Sequence, residues 1–370
     1  MGAAQVFHFT GTGRVLNGPG AVEALPEEVE RLGCRRAFIV TGTSIATRTP
    51  HLERLRDLLG ERCVGAMTGI RQHVPKSGVA AAAEQAAAAE ADVVISLGGG
   101  SPIDAAKGVA ALLAREGRPL PQIALSTTLS AGEFTPIAAA TDESTAIKEV
   151  RVDHRLTPAT VILDPDLTRE TPRQLWATTG VKALDHAVEV LLAVRPHPLA
   201  DLLAGEAIQR LRRALLPSLA EPFDAAARGD CQLAAWFSIA GLPSVRIRLS
   251  HLIGHQIGAR WDIPHGVTSC ITLPYAMRFL AAQTLEQHAR VAAAFGLRAD
   301  GPPTLGLAHA AAEEVAAFIA RLDVPTRLSD AGARREDLGA VAEAVAAEAA
   351  SAGSEAQSPA AILRLLEGMW

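Results

Sequence analysis

Five residues with chemically active side chains stand in two apolar segments of the chain. Lys182 and His186 are four residues apart, His251 and His255 have the same spacing, and His265 follows them. A spacing of four places both members of a pair on one helix face. Imidazole nitrogens bind divalent metals, but the position best placed to add a carboxylate ligand carries an ammonium group. The sequence therefore predicts a histidine cluster with a cation beside it.

The composition is that of a folded protein with small-molecule partners. The 370 residues, 49% of them hydrophobic, exceed the usual size of one core and predict two domains. The 35 basic and 40 acidic residues are mixed along the chain, which argues against nucleic acid or a membrane surface as a partner. No apolar run reaches the roughly 20 residues that a spanning helix needs. The four cysteines form no C-x-x-C pair, so we expect reduced thiols in a cytoplasmic protein.

Strands and helices alternate in the first part of the sequence, whereas the second part is uniformly helical in pattern. RAFIV (36–40) and DVVISL (92–97) are predicted strands, and the alanine-rich stretch 79–91 is a predicted helix. Such alternation predicts a mostly parallel α/β sheet. Beyond about Pro172, long segments rich in Ala, Leu, Glu and Arg predict helices. We therefore predict an α/β domain over 1–168 and an all-helical domain over 169–370.

A glycine-rich turn separates the strand at 92–97 from the following helix. Gly98, Gly99 and Gly100 allow a ligand to approach the backbone, Ser101 is predicted to cap the helix and Pro102 to open it. A helix N-terminus favours phosphate at this point. The spacing is not G-x-G-x-x-G, so an ordinary tight turn stays the alternative. A second polar turn, over 126–133, offers hydroxyls at the same sheet edge, or serves only as a capping turn.

Together these segments resemble the iron-containing alcohol dehydrogenase family, and within it the maleylacetate reductase branch. The resemblance rests on RVLNGPGAV (14–22), GGGSPIDAAK (98–107), TTLSAGEFTP (127–136), VILDPDLT (161–168), KALDHAVE (182–189) and His251-x-x-x-His255 with Pro264-His265-Gly266. It implies a fold shared with dehydroquinate synthases, in which an N-terminal dinucleotide-binding α/β domain precedes an all-α C-terminal domain. A homodimer is also implied.

The resemblance implies NADH or NADPH as the cofactor. Carried over by position, the cofactor-binding residues are Gly42, Gly98, Gly99, Gly100, Ser101, Thr127, Thr128, Lys148 and Leu167. Many NAD-preferring members have an aspartate after the second strand that repels a 2′-phosphate, whereas this chain has Thr43 and Ser44 there. We therefore predict that NADPH is accepted as well as NADH, with Thr43, Ser44 or Arg48 as contacts of the phosphate.

The resemblance also maps a metal site onto the histidine cluster. An aspartate and three histidines bind the metal in metal-dependent members, and Lys182, His186, His251 and His265 occupy those positions here. A divalent cation repels an ammonium group, so a site without a tightly bound metal is predicted. The maleylacetate reductase branch likewise lacks the aspartate. Fe or Zn on the three histidines stays the alternative, and Asp185, turned about 100° from His186 on a helix, is not expected to replace the missing ligand.

The remaining polar residues predict how a substrate is bound and protonated. His255 is the predicted proton donor, because an imidazole titrates near neutral pH. Lys182 and Arg248 are predicted to anchor an anionic substrate, since guanidinium and ammonium groups bind carboxylates. Arg246 and Arg260 would add to this cationic pocket, although at least one arginine is expected to pair on the outer surface.

The predicted activity is hydride transfer from NAD(P)H to a carbonyl or an activated C=C bond of a small carboxylate. Maleylacetate, an intermediate of aromatic compound catabolism, is the most concrete substrate. Against it, Lys182 stands where the branch usually has Asn, and Gly266 where it usually has Ala. The alternatives are an Fe- or Zn-dependent dehydrogenase of alcohols and aldehydes, a catalytically inactive cofactor-binding protein, and a lyase like dehydroquinate synthase, which the motifs disfavour.

Overall fold

The structure, a computed structural model, describes residues 6–145, 147–193, 196–246, 248–298, 301–351 and 357–370. The chain divides into two compact units. The first spans Thr10–Thr171, and the second comprises Pro172–Trp370 together with residues 6–9. We refer to them as the N-terminal unit and the helical unit.

The N-terminal unit is built around a parallel sheet. Its strands are β1 (Arg14–Asn17), β2 (Ala37–Thr41), β3 (Cys63–Met67), β4 (Val93–Gly98), β5 (Gln122–Ser126), β6 (Ile137–Asp142), β7 (Ile147–Val152) and β8 (Thr160–Leu163). Its α-helices are α1 (Leu25–Arg31), α2 (Thr43–Arg48), α3 (His51–Leu59), α4 (Lys76–Ala88) and α5 (Gly100–Arg115). Six strands pair in the order β1-β8-β5-β4-β2-β3, all parallel, and β6 pairs with β7 as an antiparallel hairpin.

The central strands are apolar throughout because helices cover both faces of the sheet. Every residue of β2, β4 and β5 is buried. Side chains alternate between the two faces, as in any strand. Ile95 packs with Leu55 of α3 on one face, whereas Val94 packs with Ala82 of α4 and Val109 of α5 on the other. The predicted parallel α/β organisation is confirmed.

Among its described residues, the helical unit contains nine α-helices and no strand. The helices are α6 (Arg173–Leu191), α7 (Pro198–Ala214), α8 (Ala225–Ala240), α9 (Leu249–Trp261), α10 (His265–Leu280), α11 (Leu285–Ala294), α12 (Leu305–Ala320), α13 (Leu338–Ser351) and α14 (Pro359–Gly368). Almost every residue of α6 from Trp176 to Leu191 is buried, which makes it the central helix. Burial of each large apolar side chain contributes about 1.5–3 kcal/mol to the free energy of folding. This contribution keeps α6 in the interior together with its polar residues. The predicted all-helical character is confirmed.

Residues 6–9, which precede the N-terminal unit, belong to the helical unit and not to the sheet. The backbone N–H of His8 donates to Ser244 Oγ at 2.8 Å, and the Phe7 ring lies 5.2 Å from that of His197. No local pattern in the sequence indicates this long-range return. None of the described helices has both the length and the apolar character needed to cross a membrane.

Candidate functional site

The glycine-rich turn after β4 is shaped by two tight positions. Gly98 has a φ of +139°, a conformation that favours glycine, and a Cβ atom on Gly99 would lie 2.8 Å from Thr128 Cγ2. Helix α5 begins at Gly100, with Gly99 as its N-cap and without a side-chain cap. The prediction that Ser101 caps the helix and Pro102 opens it was therefore wrong, because the positive φ at Gly98 lets the helix start two residues earlier. The uncapped N–H groups remain available to an anion.

The predicted dinucleotide residues meet at the carboxyl ends of β2, β4 and β5. The chain leaves β2 toward β3 and leaves β4 toward β5, so the strand order diverges between β2 and β4, where open α/β sheets bind ligands. Gly42 lies directly after β2, and the N–H of Thr127 donates to Gly98 O at 3.0 Å. Thr127 and Thr128 are both buried. The two polar turns are thus joined to each other.

The other residues predicted to contact the cofactor lie in different surroundings. Thr43, Ser44 and Arg48 are exposed on α2. The Leu167 side chain is buried in the core beneath the sheet, so only its backbone is available to a ligand. The side chain of Lys148 lies outside the described residues, and that prediction remains untested.

A buried lysine holds the second turn in place. Lys107 of α5 is fully buried, and its ammonium group donates to the carbonyl oxygens of Gly132, Thr135 and Ile137 at 2.7 to 2.8 Å. Burial lowers the pKa of Lys107 to about 8, so the group is still mainly charged at neutral pH. Each carbonyl left without its donor would cost about 1–3 kcal/mol. Lys107 therefore ties the segment after the Thr127–Thr128 turn to the glycine-rich helix.

Substitution of Gly99 by alanine is expected to weaken dinucleotide binding, because the new Cβ would push Thr128 away from the turn. We expect the KM for NADPH to rise about tenfold or more, with a small change in thermal stability, since the loss of one close ligand contact costs 1–2 kcal/mol. Initial-rate kinetics and a dye-based melting curve measure both. Gly78→Ala, at a helical glycine with open space around it, is the matched control. An unchanged KM for Gly99→Ala would show that the turn does not bind the cofactor.

In the helical unit, four histidine side chains form a cluster, which we call the histidine cluster. The His251 ring lies 4.5 Å from that of His255, 4.9 Å from His265 and 5.4 Å from His186, measured between ring centroids. One nitrogen from each of His251, His255 and His265 lies within 4.8 Å of the others. The structure therefore groups His255, and not the predicted ligand His186, with His251 and His265 as possible metal donors.

Close helix packing brings these imidazoles together. His186 is on α6, His251 and His255 are on α9, and His265 is the first residue of α10. A Cβ on Gly266 would lie 2.8 Å from the backbone of Thr178 on α6, and one on Gly254 would lie 3.0 Å from Thr268 Oγ1 on α10. These glycines let α6, α9 and α10 approach one another. The close contact at Gly266 gives a packing reason for glycine at this position.

The three buried imidazoles of the cluster are held in their neutral form. Burial lowers the pKa values of His186, His251 and His265 well below the usual value, and the Lys182 charge lowers all three further. Lys182 itself is partly buried on α6. The Nδ1 atom of His186 is buried without a hydrogen-bond partner among the described residues. His186, His251 and His265 are thus neutral nitrogen donors with one ammonium group close by.

These residues suit a tightly held divalent metal only in part. Neutral imidazoles are good ligands, but none of the three donors grouped by distance is a carboxylate. Asp185 is buried and accepts a hydrogen bond from Ser269 Oγ at 2.8 Å, and burial raises its pKa to about 6. The Lys182 charge opposes a cation. We conclude that the charge of Lys182 disfavours a tight metal site, and we derive no chemical step from one.

Glu189 positions the start of the helix that carries His251 and His255. Its buried carboxylate accepts the backbone N–H groups of Arg248 and Ser250, the latter at 2.9 Å. Burial, together with the nearby Asp185, raises the pKa of Glu189 to about 8, while the N–H donors at the helix N-terminus oppose this shift. The sequence analysis did not single out Glu189, because a cap that comes from a distant helix leaves no local signal.

The arginines predicted for the pocket occupy different surroundings. Arg260 is half-exposed and pairs with Asp337 at 2.8 Å, which confirms that at least one of them pairs at the surface. Arg246 is exposed. Arg248 is buried, and its charge helps to lower the pKa of His288, an imidazole whose pKa is depressed first by burial. Of the cations predicted for the pocket, Lys182 is the one whose charge contributes to the lowered pKa values of His186, His251 and His265.

The predicted proton donor has a carboxylate partner that the sequence analysis missed. His255 is half-exposed, and its Nδ1 lies 3.2 Å from Glu348 Oε1 of α13. The second oxygen of Glu348 accepts from Gln256 Nε2 at 2.7 Å. Burial opposes the charge of Glu348, but these two hydrogen bonds outweigh it and hold the pKa of the carboxyl below its usual value. Glu348 lies in an alanine-rich helix 93 residues further along the chain, so no local spacing indicated it.

Comparison with known proteins covers almost the whole chain. The family description "iron-containing alcohol dehydrogenase" matches residues 12–165, and that of the C-terminal part of the Fe-containing alcohol dehydrogenase family matches 176–368. A maleylacetate reductase of Burkholderia cepacia is 33% identical over 284 residues, which are 77% of this chain and 78% of that protein.

Solved structures with the same fold include enzymes of two kinds. The maleylacetate reductase from Rhizobium sp. strain MTP-10005 is 30% identical, with a TM-score of 0.85 over 99% of both chains. The alcohol dehydrogenase from Oenococcus oeni is 25% identical, with a TM-score of 0.92 over 99% of this chain and 100% of that one.

Proposed function

We propose, from the premise that this chain belongs to the iron-containing alcohol dehydrogenase family and is an NAD(P)-dependent oxidoreductase, that its substrate is a small carboxylate with a carbonyl or activated C=C bond. The observation that carries this proposal is the Lys182 ammonium group beside neutral imidazoles. An ammonium group at this position attracts an anionic group of the substrate. The relatives named as maleylacetate reductases make maleylacetate the first compound to test.

The proposed reaction assigns roles to the polar turns after β2, β4 and β5 and to the histidine cluster. The turns at Gly42, Gly98–Ser101 and Thr127–Thr128 would hold the phosphates and ribose of NAD(P)H. Bound NAD(P)H would supply the hydride for the electrophilic carbon of the substrate, and His255 would give a proton to the electron pair of the reduced bond. Lys182 holds the carboxylate or the developing anion. No metal is required in this scheme, and a homodimer remains a prediction.

A second candidate, an Fe- or Zn-dependent alcohol dehydrogenase, is favoured by one observation. Three imidazole nitrogens lie within 4.8 Å of one another, and three protein ligands with one open position are typical of catalytic zinc sites. This candidate would act on neutral aldehydes or alcohols. It requires the metal to bind in spite of Lys182.

A substrate panel distinguishes the two candidates. We expect EDTA-treated protein to oxidise NADH and NADPH with maleylacetate or a short keto acid, at rates unchanged by added Zn²⁺ or Fe²⁺. Initial rates at 340 nm and elemental analysis of the same sample are the measurements. Turnover that appears only after metal is restored, and chiefly with neutral aldehydes, would contradict the proposal. Dinucleotide binding with no turnover of any compound would indicate a binding protein.

A further inference from the structure

We propose that Glu348 is a positioning residue for His255, which it holds by Nδ1 so that the proton used in reduction is carried on Nε2. This inference rests on the proposed function, in which His255 is the proton donor. It assigns a role to a residue of α13 that no motif of the chain contains.

The contact is a defined arrangement and not a chance surface pair. Glu348 uses one oxygen for His255 Nδ1 at 3.2 Å and the other for Gln256 Nε2 at 2.7 Å. Two adjacent residues of α9 therefore share one carboxylate, and its orientation is determined by both. Its side chain is 28% exposed, whereas that of His255 is 46% exposed. Water competes less for the carboxylate than for the free edge of the imidazole.

Apolar packing fixes the distance between the two helices. Ile253 and Ile257 of α9 belong to the same core cluster as Val341 and Val345 of α13. Glu348 follows Val345 by three residues, which places both near one face of the helix. The carboxylate is thus carried to α9 by a packed helix surface, and a flexible loop is not involved.

The position of Glu348 within its helix is unfavourable without this contact. It lies in the last turn of α13, which ends at Ser351. A carboxylate near a helix C-terminus is repelled by the helix dipole. The hydrogen bonds from His255 and Gln256 offset that repulsion. A glutamate that served only as a solvated surface residue would be better placed at the other end of the helix.

The chemical consequence concerns which ring nitrogen carries which proton. A carboxylate accepts hydrogen bonds but cannot donate when ionised, so Nδ1 must carry a hydrogen to contact Glu348. Proton transfer to the substrate then breaks the Nε2–H bond and leaves a neutral imidazole with its hydrogen on Nδ1. Glu348 holds the ring throughout and exchanges no proton, as the carboxylate does in other histidine–carboxylate pairs.

The test uses variants that keep or remove the acceptor. Glu348→Gln retains an oxygen that accepts from Nδ1–H, and we expect its kcat to stay within about threefold of the parent value. Glu348→Leu removes the acceptor, and kcat is expected to fall about 10- to 100-fold while the KM for NADPH stays unchanged. Glu343→Leu, at an exposed glutamate of the same helix, is the control. Equal losses in Glu348→Gln and Glu348→Leu would overturn the role as a hydrogen-bond acceptor.

A double substitution tests whether Glu348 acts through His255. In a His255→Gln background, Glu348→Leu should cause no further loss of kcat. A further loss of tenfold would contradict the proposal, because Glu348 would then act on something else. Circular dichroism and melting curves of each variant exclude loss of fold as the cause.

A measurement without turnover separates this inference from the proposed function. In ¹⁵N-histidine-labelled protein, long-range ¹H–¹⁵N spectra report which ring nitrogen carries hydrogen, and His255→Gln identifies the signal. We expect hydrogen on Nδ1 of neutral His255 in the parent protein and a shift toward the Nε2 form in Glu348→Leu. The Nε2 form in the parent protein would overturn the inference. If no substrate is turned over, this spectrum still decides the role of Glu348.

Discussion

Replacement of Lys182 by aspartate is expected to turn the histidine cluster into a tight site for Zn²⁺ or Fe²⁺. At an effective dielectric constant of about 20, an ammonium group ~8 Å from a divalent ion repels it by about 4 kcal/mol. Removal of that repulsion alone corresponds to roughly a 1000-fold gain in affinity. A carboxylate on α6 would also add the kind of ligand that the histidine set lacks. Calorimetric titration of EDTA-treated protein with Zn²⁺, supported by elemental analysis, measures the gain.

Lys182→Met separates the two parts of this effect. It removes the charge without adding a ligand, so its metal affinity should lie between those of the parent protein and Lys182→Asp. Both variants should lose affinity for a carboxylate substrate, because the anion anchor is gone. The expectation fails if the parent protein itself retains one metal per chain through EDTA dialysis, since Lys182 would then not prevent binding.

Replacement of His255 by glutamine is expected to lower kcat by about 10²- to 10⁴-fold, the usual contribution of a positioned general acid. The KM values for NADPH and for the substrate should change little, because neither Lys182 nor the glycine-rich turn is altered. His255 is half-exposed, so the substitution leaves the apolar core intact. Steady-state kinetics with the best compound of the substrate panel measure the change.

His309→Gln is the matched control, since His309 is an exposed histidine of α12 outside the cluster. It should match the parent protein in kcat and in melting temperature. A normal kcat in His255→Gln would assign the proton donor to another group. A lower melting temperature in His255→Gln alone would point instead to a structural role in the contact with α13.

The family and the fold class were predictable because their signals are local. Short apolar strand runs and helical patterns separated the parallel sheet from the helical unit, and both predictions are confirmed, as is membership of the iron-containing alcohol dehydrogenase family. The start of α5 was placed two residues too late, because a positive φ at Gly98 is a backbone feature that glycine permits but does not require.

The candidate site was likewise predictable only where its signals are local. Helical spacing in the sequence was enough to predict that Lys182 and His186 lie on one face of a helix, and that His251 and His255 lie on another. The convergence of these faces depends on packing: the backbone contact of Gly266 with Thr178 and the contact of Gly254 with Thr268 set how closely the helices approach. Glu189 and Glu348 reach α9 from other helices, 59 and 93 residues away along the chain.

The amino-acid sequence by itself thus determined which chemical groups this protein holds and on which elements they lie, because residue type and helical period are properties of short segments. Only the tertiary structure decided which cation lies beside the imidazoles and which carboxylate holds His255. It was also the tertiary structure that made the buried histidines neutral. Burial and the charges of neighbouring groups depend on residues far apart in the chain, and no local pattern records them.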